Sequence, residues 1–172
     1  MAATSTTKLL TAARQAVWQA LREWPLWTAK IQTTYESDDE VRRFLQQEAN
    51  VSRCPAMSAL WRTTNPEWWV HSQQEWKCPL EISIWVSEDR LSLSEDLIED
   101  AIDAVFRAEH STSVAGGRVF VVQQVCGNHP QILAMEVGVP ITAGEDGKHR
   151  LLQSSVVFQL PLKKRPIMAL NS

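Results

Sequence analysis

Between Leu80 and Val86 the chain alternates. Leu80, Ile82, Ile84 and Val86 are apolar, with Glu81, Ser83 and Trp85 between them. A period of two, with one apolar and one mixed face, predicts a strand. A few residues later the period changes. Leu97, Ile98, Ala101, Ile102, Val105 and Phe106 recur at helical spacing, and Glu95, Asp96, Glu99, Asp100 and Asp103 take the other side. Ser92 and Glu95 stand at capping-box spacing, so a helix is expected over 92–109, with acids in its first turn. A strand feeding a helix that must cover it is the nucleus of an α+β domain.

The same patterns extend along the chain. Leu9, Leu10, Ala13, Val17, Ala20, Leu21 and Trp24 form the apolar stripe of a first helix, over 7–24, which Pro25 ends. Residues 30–35 (KIQTTY) predict a strand and 38–49 a short helix after the run SDDE. Residues 54–63 (CPAMSALWRT) predict a strand with its proline at the start. An Asn-Pro turn signal lies in the link 64–74. Three further strands are expected. They are 118–126 (RVFVVQQVC), 131–139, and 151–162, in which Leu152, Val156, Phe158, Leu160 and Leu162 share a face. The loop ITAGEDGKH separates the last two. The expected architecture is a mainly antiparallel sheet with two amphipathic helices on one face. One domain spans 1–162, and 163–172 forms a C-terminal tail, basic at Lys163, Lys164 and Arg165 and then apolar at Ile167, Met168 and Leu170.

Composition narrows the function. A chain of 172 residues with 44% hydrophobic and 22% charged residues is ordinary globular material, not a disordered one. A net charge of −3 argues against a protein built to grip nucleic acid. Cys54, Cys78 and Cys126 are scattered and odd in number, which suits reduced thiols in a cytosolic setting. The N-terminal stretch carries no signal-peptide pattern, and no apolar run is long enough to span a membrane. A soluble protein with no membrane partner is expected.

Candidate chemistry is sparse. There is neither a GxxxxGK[ST] nor a GxGxxG motif, and Gly116-Gly117 and Gly144 to Gly147 read as loop and hairpin tip. Cys126 and His129 make one CxxH pair, whereas a zinc knuckle needs two pairs; a buried thiol and a turn histidine account for them. The helix acids lie on a stripe rather than in a cleft, the arrangement of a solvated face. The expectation is a protein without catalytic residues, cofactor or metal.

The anomaly is tryptophan, eight against one tyrosine. Trp68, Trp69 and Trp76 sit in or beside the link, and Trp85 falls on the mixed face of the central strand. Such residues either close the edge of a core or anchor a partner. Trp85 and the pair Trp68-Trp69 lean toward the second role. A stacking surface for sugars or bases ranks last, because interleaved Arg and Lys are missing.

In its order of elements the chain resembles the tail terminator proteins of long-tailed bacteriophages, the lambda-type minor tail protein U group. The resemblance is carried by LLTAARQAVWQAL, CPAMSALW, WKCPLEISIWV, SEDLIEDAIDAVF and SSVVFQLPL, which keep their order and approximate spacing over most of the chain. This chain is longer, with added segments near 38–50, 64–76 and 131–149. The resemblance implies a structural virion protein, assembled in the host cytoplasm. It would form a homo-oligomeric, hexameric ring at the head-proximal end of the tail tube. Its partners would be the tail tube protein and a head–neck connector protein, and DNA would pass through the channel without specific binding. Trp68, Trp69, Trp85, Lys163, Lys164, Arg165 and Ile167 are the expected contact residues. Another neck or head-completion connector, or a stand-alone adaptor module, remain the alternatives.

Overall fold

A computed structural model describes residues 9–23, 30–48, 51–62, 70–71, 75–110 and 130–163. The chain is an α+β fold. Among the described residues its named helices are α1 (Leu9–Glu23), α2 (Asp38–Arg43) and α3 (Leu91–His110). Its strands are β1 (Thr33–Tyr35), β2 (Ala56–Trp61), β3 (Val70–His71), β4 (Glu75–Ser87), β5 (Gln131–Ala143) and β6 (His149–Lys163). They form a 6-stranded sheet in the order β1-β2-β4-β6-β5, with β3 also paired to β4. All neighbours are antiparallel except β1 and β2. The strand expected over 118–126 lies outside the described residues.

The period of two in β4 sorts its side chains onto two cores. Cys78, Leu80, Ile82, Ile84 and Val86 face α1 and α3, packed with Ala13, Val17, Leu21, Leu97, Ile98, Ala101 and Val105. Both long helices therefore share one face of the sheet, as their apolar stripes require. The residues between point the other way. There Trp85 joins Tyr35, Phe44, Cys54, Ala56, Ala143 and Leu151 in a second, smaller core roofed by α2 and the turn after it.

Trp85 is 1% exposed. Its ring meets Phe44 edge-on at 5.6 Å, and Phe44 stacks on Tyr35 at 4.9 Å. The expectation that Trp85 anchors a partner is thus corrected. The mixed face of β4 is covered at this end by the chain's own 38–48 segment, and the indole fills that space.

Local signals explain several boundaries. Ser37 caps α2 by accepting from the Glu40 amide at 3.2 Å, and the Glu40 carboxylate accepts from the Glu36 amide at 2.7 Å. The expected helix over 38–49 is α-helical only to Arg43, and Phe44–Glu48 widens into a π turn. Within that turn, the Leu45 carbonyl accepts from the Gly144 amide at 2.7 Å and so ties the turn to the β5–β6 connection. α3 starts at Leu91, and the Arg90 carbonyl accepts from the Ser94 amide at 3.1 Å, so Ser92 lies inside the first turn rather than capping it. β5 continues to Ala143 instead of stopping at 139, because Ile141 and Ala143 stay in register with Leu151 and His149. The loop shrinks accordingly, and the last strand begins at His149.

Candidate interaction surface

β5 has an unusual sequence for its position. QILAMEVGVPITA is nearly continuous apolar sequence with one charge, Glu136. Such a run reads as a strand covered on both faces. Yet β5 is an edge strand, with β6 as its single ladder neighbour among the described residues. Every residue from Gln131 to Val137 is exposed. Met135 is 53% exposed, Ile132 43%, and Leu133, Val137 and Val139 between 37% and 39%. Ile132 and Met135 pair with Phe158 and Val156 and so share the side of the sheet that carries the long helices. Val139 pairs with Gln153, on the opposite side.

The strand is held in a bent shape. Its register with β6 shifts between Ile132 and Ala134 and again between Glu136 and Val139. Gly138, at φ +63, sits in the second irregularity, a backbone state that favours glycine. Its amide donates to Ser154 Oγ at 2.9 Å, and that hydroxyl shares a 2.6 Å bond with Ser94 Oγ. Both serines are fully buried. A β-carbon at position 138 would collide with Leu91 Cδ1. The bulge is therefore clamped between β6 and the first turn of α3, and its serines and glycine form a satisfied polar cluster inside apolar surroundings.

The apolar strip does not stop at β5. Leu91 is 48% exposed beside Gly138. Ile102 and Phe106 of α3 are half-buried, and Phe106 packs edge-on against Phe158 at 6.1 Å. Around this strip, Glu95, Asp96, Glu99 and Asp103 are exposed on α3, as their stripe pattern implies. The resulting surface is apolar at the sheet edge and acidic along the helix.

Other parts of the described structure offer no comparable site. Cys54 and Cys78 are free and buried. Burial pushes their thiols up to about 11 and about 12, so both stay protonated at neutral pH and are poor nucleophiles. A cleft beside Cys54 is lined by Gln32, Ser52, Asp89 and Arg90. The Ser87 hydroxyl donates to the Asp89 carboxylate at 2.6 Å and holds its carboxyl below the usual range, as suits an acceptor at the turn into α3. Among the described residues no group of three His, Cys, Asp or Glu side chains is placed to hold a metal ion. Among the same residues no helix is long and apolar enough to cross a membrane.

Of the residues singled out from sequence, Trp85 and Lys163 lie among the described residues. Trp85 is buried in its own core. Lys163 ends β6, opposite Glu75 in the ladder. Trp68, Trp69, Lys164, Arg165 and Ile167 lie outside the described residues. The surface that sequence reasoning missed is β5. Its signal was present: 131–143 lacks the apolar–polar alternation of a half-covered strand and carries a single charge. The chain matches no known family model and no curated protein.

Proposed function

We propose that the chain is a structural subunit of a bacteriophage tail. It assembles head to tail into a ring that ends the tail tube and joins it to the neck. The observation that carries this reading is β5, an apolar strand at the sheet edge among the described residues and exposed along most of its length. Monomeric proteins seldom leave such a strip uncovered, because an open edge invites pairing with another chain. A head-to-tail ring covers two different surfaces on every subunit at once. The resemblance to tail terminators supports the ring and its hexameric closure. The stretches on which that resemblance rests fall in α1, β2, β4, α3 and β6.

The partners in this reading are further copies of the chain, the tail tube protein and a head–neck connector protein. DNA passes through the channel unbound, which the net charge of −3 suits. The virion is the working location. Trp68, Trp69 and the segment from Lys163 through Ile167 remain candidate contacts.

The test is negative-stain microscopy of the purified chain, alone and with tube protein, alongside its mass by light scattering. Rings that cap tube ends are expected. A monomer at all concentrations that leaves tube length unchanged refutes the reading in favour of an adaptor module.

A further inference from the structure

We propose that the apolar strip of β5 and the acidic side of α3 receive the segment 164–172 of a neighbouring copy of this chain. This rests on the ring reading and names one of its contacts.

The chemistry of the receiving surface defines its occupant. The approach of Leu91 to Gly138 places the start of α3 over the second bulge of β5. Phe106 packs on Phe158, which pairs with Ile132 near the start of β5. α3 therefore runs antiparallel along β5, and Leu91, Glu95, Ile102 and Phe106, at helical spacing, line the side toward the edge. Between 91 and 106 this helix has acids at 95, 96, 99, 100 and 103 and neither Lys nor Arg. A complementary occupant is an extended segment with cations at one end and apolar side chains after them. Residues 163–170, KKRPIMAL, have that order.

Position and length agree. Gln131 pairs with Gln159, and β6 runs on to Lys163. The described part of β6 thus ends at Lys163, beyond the Ile132 end of β5. To lie on that strand the chain would have to reverse and cross the strand's start. A neighbouring copy presents the same strip without any reversal. Fully extended, 164–172 reaches about 30 Å, and the exposed part of β5, 131–139, is also about 30 Å long. An added strand would use the backbone edge that is open among the described residues for affinity, and alternate side chains for specificity. Pro166 is tolerable at the start of such a strand, where a ladder amide is dispensable.

A charge-swap experiment on the full chain tests this. One variant carries Lys164→Glu and Arg165→Glu; the other carries Glu95→Lys and Glu99→Lys. The altered glutamates are exposed, and the fold of each variant is checked by its thermal melt. Each variant alone is expected to assemble on the order of tenfold more weakly, because like charges then face each other. Mixing the two restores assembly, since every contact again joins opposite charges. A third variant, Ile167→Asp, is expected to weaken assembly and to speed hydrogen exchange of the 131–139 amides. Unchanged mass in all three variants overturns the inference while leaving the ring intact. Restoration only when both swaps sit on one chain, and not in the mixture, assigns the contact to the chain's own segment and also overturns it. A wild-type monomer removes the ring reading itself.

Discussion

The indole Nε1 of Trp85 donates a 2.9 Å hydrogen bond to Gln153 Oε1, directly across the ladder between β4 and β6. The bond gives a buried polar atom its partner on the face of the sheet that α2 covers. It makes Trp85 a fold residue. Trp85→Ala should cost about 3–5 kcal/mol in chemical denaturation, the range for removing a large aromatic from a core. Trp85→Phe should cost less, since it keeps most of the ring but leaves Gln153 without its donor. A Trp85→Ala protein of unchanged stability that fails to assemble would return this residue to the interface.

The bulge in β5 is set by Gly138. Gly138→Ala meets both a positive φ and the Leu91 side chain, and should destabilise by at least ~1 kcal/mol. Leu91→Ala in the same chain should recover the part due to collision, and a double-mutant cycle of melting curves separates the two. Full additivity would mean that Leu91 and Gly138 do not press on each other.

Ser94 and Ser154 share the buried bond that steadies this bulge. Ser154→Ala also strips the acceptor from the Gly138 amide and should cost about 1–3 kcal/mol. Ser94→Ala should cost less, because the Ser154 hydroxyl still accepts from that amide. Equal losses would contradict the network.

The folded Cys78 thiol is raised by burial to about 12 from a usual 9.0. The unfolded thiol ionises first, so its contribution to stability is intact below about pH 9 and falls as pH rises from there toward the folded value. Stability of the wild type should therefore decline more steeply between those pH values than that of Cys78→Ala. Parallel declines would show that Cys78 is not the group responsible.

Much of the fold was legible because periodicity reports burial directly. β4 and α3 alternate at 2.0 and 3.6 residues; the buried Leu80, Ile82, Ile84 and Val86 and the buried Leu97, Ile98, Ala101 and Val105 are ones the pattern names, while Ala104 joins them and Ile102 and Phe106 stay half-buried. The fate of Trp85 was not legible. A mixed strand face looks the same in sequence whether water, a partner or the chain's own helix covers it, and Phe44 comes from a distant segment. The π turn at 44–48 is tied at its Leu45 carbonyl to Gly144, about a hundred residues away in sequence, a contact that no local signal announces. The β5 surface was half legible. Its unbroken apolar run was present in the sequence, but that it lies at a sheet edge is a fact of topology.

The account turns on whether the β5 strip is an assembly surface. The most direct measurement is the solution mass of the full chain beside that of Met135→Glu, over the same concentrations, with melting curves for both. Met135 is 53% exposed, so a glutamate there should leave the fold intact. The prediction is a closed hexameric ring for the wild type and a folded monomer of nearly equal melting temperature for the variant. A wild type that stays monomeric, or a variant that forms the same ring, would contradict it.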